Sequence, residues 1–102
     1  MSEPTPAGLW VAHGTIKDHE RYGDYLAAAA PVFARYGAVF QARGGRYEPV
    51  EGLARERHII IQFPNYDLAL ACYHNPEYQE AARIRLTAAE TEIVIVEGVA
   101  QT

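Results

Sequence analysis

Two runs of consecutive β-branched residues constrain this chain more than any other feature: Ile59-Ile60-Ile61 and Ile93-Val94-Ile95-Val96. Successive side chains of a strand point to opposite faces, so a sheet with one wet face alternates apolar and polar residues. These runs do not alternate. Both strands are apolar on both sides, and any fold that contains them has to cover both faces of its sheet. The chain has 102 residues, the size of one domain.

The remaining elements follow from local signals. Leu9 to Ile16 reads as a strand, with Trp10 and Val11 favouring β structure. Asp18 is a helix N-cap, and the helix it opens runs to Arg35, with Tyr22, Tyr25, Leu26, Ala29 and Phe33 on one face. Pro31 falls inside that pattern and is expected to kink or restart the helix. Gly37 ends it. Ala38 to Arg43 reads as a second strand, stopped by Gly44-Gly45, with Arg46 to Glu51 continuing it after a turn or bulge. Arg57 to Phe63 is the third strand. Asn65 caps a helix over Tyr66 to about His74, and Asn75-Pro76 restarts it to about Ala89. Glu92 to Glu97 is the last strand. Residues 1–7 read as a disordered leader, 8–98 as a single domain and 99–102 as a tail.

Strand, helix, strand, strand, helix, strand is the order of an α+β, ferredoxin-like βαββαβ fold with a four-stranded antiparallel sheet. Its two helices can cover only one face of the sheet. The expected cover for the other is a second copy of the chain, joined by a two-fold contact. The alternative is a monomer with an unusually apolar outer face.

The formal net charge of −4 lacks the basic footprint of a nucleic-acid or anionic-membrane binder. No apolar run approaches the roughly 20 residues that cross a bilayer. The one cysteine, Cys72, has no internal disulfide partner. With no signal-peptide pattern at the N-terminus, a cytoplasmic location follows by default. His13, His19, His58 and His74 lack metal-ligand spacing, and no nucleotide fingerprint is present, so no metal or cofactor is expected.

Strand parity separates two candidate sites. Ile16 and Phe63 adjoin helix starts, which places Trp10, Ala12, Gly14, Ile59 and Ile61 on the helix-covered face. The opposite face then carries His13 and His58 with Gln62, joined by Gln41 and Arg43 if the second strand keeps that parity. There a neutral imidazole could move a proton while arginine holds a carboxylate or enolate. The same groups could instead hydrogen-bond one another across a dimer contact. The second candidate lies beneath the helices. Ala12 and Gly14 leave room, Tyr25 faces inward, and Tyr78, Ala82 and Arg85 share one helix face. An inward arginine needs an anion, either Glu51 or Glu97 as a structural pair or a small organic ligand. Tyr73 borders either pocket.

Several strings carry a family resemblance: Lys17-Asp18-His19-Glu20-Arg21-Tyr22-Gly23-Asp24-Tyr25, Arg43-Gly44-Gly45, Glu51-Gly52, Phe63-Pro64, Tyr73, Pro76-Glu77-Tyr78-Gln79, Arg85 and Val96-Glu97-Gly98. Together, over about residues 8–98, they resemble the DUF1330 family of the dimeric α/β-barrel superfamily. The resemblance implies the fold and the homodimer and implies no reaction. The chain departs from the family's usual pattern at Cys72, where tryptophan is common, at His74-Asn75, where Asn-Ser is, and at Ala38, where glycine is.

Two functions fit. The first is a cofactor-free enzyme or binder for a small organic carbonyl or carboxylate compound, working by isomerase-, cyclase- or lyase-like proton transfer. In it His13 or His58 moves the proton, Arg43 or Arg85 holds negative charge, and Tyr25, Gln41, Gln62, Tyr73 and Tyr78 line the ligand. The second is a non-catalytic dimeric ligand sensor or an accessory subunit of a pathway enzyme.

Overall fold

A computed structural model describes residues 4–101. The chain order is β1 (Gly8–Ile16), α1 (His19–Arg35), β2 (Val39–Arg43), β3 (Arg57–Phe63), α2 (Tyr66–His74), α3 (Pro76–Ala88) and β4 (Ala89–Glu97). The four strands form one antiparallel sheet in the order β2-β3-β1-β4, which is the ferredoxin-like arrangement. The expected leader and tail fall partly on residues 1–3 and 102, outside the described residues. Beside them, the Gly98 N–H donates to the Ala7 carbonyl at 2.8 Å.

Caps set the helices. The Asp18 carboxylate accepts from the Arg21 N–H at 3.1 Å, and the Asn65 side chain accepts from Leu68 at 2.8 Å. Asn75 ends α2 in an extended conformation, and its Oδ1 accepts from Glu77 and Tyr78, with Pro76 at the first position of α3. One residue therefore separates two helices, as a cap followed by proline predicts. Gly37, at φ 77°, closes α1 in the left-handed conformation that glycine adopts without strain.

All three helices lie on one sheet face. Trp10 is the hub of the core: it is 1% exposed, its Nε1 donates to the Ala69 carbonyl at 2.9 Å, and its ring meets Phe33 and Tyr78 edge-on at 5.2 and 5.1 Å. Val32, Phe63, Cys72 and Ala82 pack around it. Among the described residues no helix lies over the other face. Val11, Val39, Val94 and Val96 stay 39 to 58% exposed there, beside Leu9 and Ile60.

Four local expectations are corrected. Pro31 does not divide α1, which runs unbroken. Ala27 and Pro31 both lie on its exposed side, where water can serve the carbonyl that proline leaves unbonded. Residues 44–56 do not continue β2; they form an irregular arm, with Gly44 at φ 70° and Arg55 donating to Glu90 and Glu92. β4 starts at Ala89 instead of Glu92. The parity of β2 also changes within the strand. A bulge lies between Phe40 and Ala42, so Ala42 pairs with Ile60 and Arg43 with Ile59. Arg43 therefore lies on the helix-covered side and not on the outer face.

Candidate functional site

A cavity of about 30 Å³ lies between the sheet and α1. That is room for about two water molecules. Its floor is β1, with Trp10, Ala12, Gly14 and Ile16. β3 supplies Arg57, Ile59 and Ile61; β4 supplies Thr91 and Ile93; Tyr22, Tyr25, Leu26 and Phe33 close it from α1, and Arg85 enters from α3. The walls are almost wholly apolar apart from the two arginines, the tyrosine tips and Thr91. At Leu26, Phe33, Phe40 and Arg57 the cavity continues into an open groove along α1 that reaches Arg43.

Arg85 is 6% exposed. Its Nη1 donates to Thr91 Oγ1 at 2.6 Å, its Nε is buried without a hydrogen-bond partner among the described residues, and its guanidinium lies 5.7 Å from the Tyr25 ring centroid. The expected structural partners, Glu51 and Glu97, do not reach it. Among the described residues no Asp or Glu forms an ion pair with Arg85. Burial opposes the Arg85 charge, yet the adjacent Tyr78 and Tyr25 outweigh burial and leave the net shift upward, so the group stays cationic. A buried cation without an acid is costly unless something anionic shares the site.

The Tyr25 and Tyr78 hydroxyls share a hydrogen bond of 2.8 Å. Burial, then the neighbouring Tyr78, pushes the Tyr25 phenol far above its ordinary value. Burial also raises Tyr78, against the lowering effect of its bond to Tyr25 and of the Arg85 charge. Both remain phenols at neutral pH. They can donate to an anionic oxygen but cannot serve as bases there.

The other candidate residues do not assemble into one site. His13 and His58 are cross-strand neighbours on the outer face, ring centroids 6.3 Å apart. His13 Nε2 lies 3.1 Å from Glu92 Oε1, and Tyr47 covers His58 at 4.8 Å. Gln41 Nε2 donates to Gln62 Oε1 at 3.5 Å on that same face. Arg43, placed with them by strand parity, lies on the other side of the sheet, its guanidinium 4.7 Å over the Phe40 ring. The grouping of two histidines with Arg43 is therefore not formed. Tyr73 packs against Trp10 and Tyr78 at 5.8 and 5.6 Å and lines neither the cavity nor the groove. Cys72 is buried, with its thiol pushed up to about 12 by desolvation, and is no nucleophile at neutral pH.

Sequence reasoning missed Arg57. Its guanidinium lies 5.5 Å from the Tyr22 ring centroid, inside the helix-covered layer. The signal was present: counting back by twos from Phe63 through Ile61 and Ile59 reaches Arg57 on that face. Tyr22 was legible only as a core position of the first helix.

The chain from residue 7 to 99 matches the model of a domain of unknown function, DUF1330. No curated protein matches significantly. Among solved structures, a protein of unknown function from Rhodopseudomonas palustris superposes with a TM-score of 0.76 at 16% identity, over 98% of this chain and 88% of that one. SnoaB from Streptomyces nogalater, described as a cofactor-independent oxygenase, gives 0.65 at 16% identity, over 96% and 97%. A dimeric ferredoxin-like protein of unknown function from Thermobifida fusca gives 0.60 at 11% identity, over 95% of each chain. At these identities the likeness is one of fold.

Proposed function

The chain belongs to the DUF1330 family, and from the cavity it builds we propose that it takes up a small, partly apolar organic anion between sheet and helices and acts on it without a cofactor. One observation carries this reading: Arg85 is buried and charged, lacks an acid partner among the described residues, and faces an apolar cavity beside two protonated tyrosines. That arrangement suits an oxyanion. A carboxylate would sit there as bound ligand. An enolate or a phenolate would be stabilised as charge develops, which lowers the barrier to isomerisation, cyclisation or lyase chemistry through such an intermediate. Tyr25 would be the proton donor at that oxygen. That SnoaB is a cofactor-independent oxygenase supports cofactor-free chemistry as something this fold can house, and the support is by analogy of fold alone.

A sensor that returns its ligand unchanged is the second reading. It is favoured by the lining of the cavity, into which no imidazole reaches among the described residues: His13 borders it, but its side chain is paired with Glu92 on the outer face.

Arg85→Met tests the site in two ways. A structural guanidinium would be missed, and the ligand-free variant would lose ~2 kcal/mol or more. A ligand-binding one is a stability cost to the empty protein, so the variant is expected to melt at the wild-type temperature or above. Thermal shift with acetoacetate, salicylate and acetylacetone then reads binding. A ligand at 100 times its dissociation constant contributes about 2.7 kcal/mol, roughly ten degrees in a domain of this size. That shift should vanish in Arg85→Met and persist in Arg43→Met. Destabilisation of the empty Arg85→Met protein, with no probe binding the wild type, would overturn the reading. Turnover of a bound probe separates enzyme from sensor.

We read the uncovered outer face as the contact of a homodimer. Its exposed valines support this, and the Thermobifida fusca neighbour is described as dimeric.

A further inference from the structure

Arg85 is not the only arginine in the cavity without an acid. Arg57 also lines it, and among the described residues it too forms no ion pair. Three side-chain polar atoms are buried without a hydrogen-bond partner among the described residues. Two of them are the Nε atoms of Arg57 and Arg85; the third is Nδ1 of His58, on the outer face. Buried donors are ordinarily satisfied, so two orphaned guanidinium N–H groups in one cavity mark it as built for more than one acceptor.

Sheet register places Arg57 and Thr91, the residue that holds Arg85, on opposite sides of a single glycine. Gly14 of β1 pairs with Arg57 of β3 on one flank and with Thr91 of β4 on the other, and Thr91 accepts from Arg85. Neighbouring strands are about 5 Å apart, so Arg57 and Thr91 stand about 10 Å apart at the backbone. Gly14 between them tolerates no side chain, because Thr91 and the Glu90 backbone already occupy the space a Cβ would take. A Cβ there would lie 2.5 Å from Thr91 Cγ2 and 2.8 Å from the Glu90 carbonyl oxygen. The cavity that both arginines line is walled by Ala12, Ile16, Ile59 and Ile93.

We propose that Arg57 and Arg85 form a two-ended clamp, Arg85 holding one end of the ligand in the cavity and Arg57 the other where the cavity opens into the groove of about 380 Å³, and that the ligand is an organic dianion with two carboxylate-like groups on a short apolar spacer. This rests on Arg85 being an anion site and adds the second charge. Each guanidinium takes one end of the ligand, and each has an aromatic face beside it, Tyr22 for Arg57 and Tyr25 for Arg85. Arg57 borders the groove as well as the cavity, so the end it holds is the outer one.

A ladder of unbranched diacids of four to six carbons, titrated calorimetrically beside monoacids of equal length, tests the clamp. At least one diacid should bind wild type ten times or more tighter than its monoacid. Arg57→Met should remove that preference while still binding the monoacid, and Arg57→Lys should restore part of it. Arg85→Met should weaken both acids. Equal affinity for diacid and monoacid on wild type overturns the clamp whatever the variants do, and leaves the Arg85 site standing. A diacid preference that survives in folded Arg57→Met also overturns it. Binding of both acids unchanged in Arg85→Met overturns the Arg85 site itself.

Discussion

Tyr25 is 5% exposed and Tyr78 is fully buried, and their shared hydrogen bond is the innermost polar contact of the site. Their raised values have a consequence for stability. In the unfolded chain both phenols ionise at the ordinary value of 10; in the fold burial raises both, Tyr25 far above that value. The neutral form is the one the fold favours, so their contribution is intact below pH 10 and is lost as the pH rises beyond it. Each tyrosine adds a slope of about 1.4 kcal/mol per pH unit. Urea midpoints between pH 9 and 11 should therefore fall more steeply in the wild type than in Tyr25→Phe, by about half a proton on average and approaching one proton near pH 11. Tyr25→Phe should itself begin about 1 kcal/mol lower at pH 8, because the Tyr78 hydroxyl loses its partner. Equal slopes would mean that the pair is wet. At this scale the sequence was legible where burial follows from helical spacing: Tyr25, Tyr78 and Arg85 all fall inside the fold as their spacing implied. What Arg85 faces was not legible, because it depends on whether Glu51 and Glu97 reach it from distant segments, and they do not.

Between elements, the legibility of parity depended on bulges. β1 and β3 have none, so counting by twos from Ile16 and Phe63 put Trp10, Gly14, His13 and His58 on their true faces. β2 has a bulge between Phe40 and Ala42 with no glycine to announce it, and one inserted residue moved Arg43 across the sheet. The junction between α2 and α3 was readable because capping is local chemistry. Asn75 accepts from two N–H groups of α3, and its Nδ2 also donates to the Tyr36 hydroxyl at 3.1 Å beyond the end of α1. Asn75→Ala should cost about 1–2 kcal/mol by chemical denaturation, at the upper end for a cap because the bond to Tyr36 goes too. Asn75→Asp keeps the two accepted bonds and should recover most of that loss. If Asn75→Ala is neutral, Pro76 alone starts α3.

At the scale of the whole molecule, the uncovered sheet face is the largest departure from a self-sufficient fold. Its apolar half is Leu9 and Val11 of β1, Ile60 of β3, and Val94 and Val96 of β4, with Val39 at the β2 edge. Its other half is polar: Arg55 bridges Glu90 and Glu92, and His13 reaches Glu92. A contiguous apolar patch of this kind is rare on a monomer and usual at a contact between copies. The third principal extent of the chain is 17 Å, a thickness of one sheet and one helical layer, and the proposed homodimer would set a second sheet against the uncovered face. Val94 decides the matter, because it is 58% exposed and lies directly opposite Val11 on that face. Val94→Lys removes no packing from the chain's own core, yet it sets a charge in the centre of the proposed contact, where an unpaired buried charge is costly. Sedimentation velocity should show the wild type as a dimer and Val94→Lys as a folded monomer, with dimer affinity lowered at least tenfold. Leu86→Lys, at 69% exposure on α3 and on the opposite side of the molecule, should leave the dimer intact. If both variants and the wild type sediment as monomers, the outer face is bare in solution and the two consecutive apolar runs need another partner. If Val94→Lys stays dimeric like the wild type, the copies meet elsewhere.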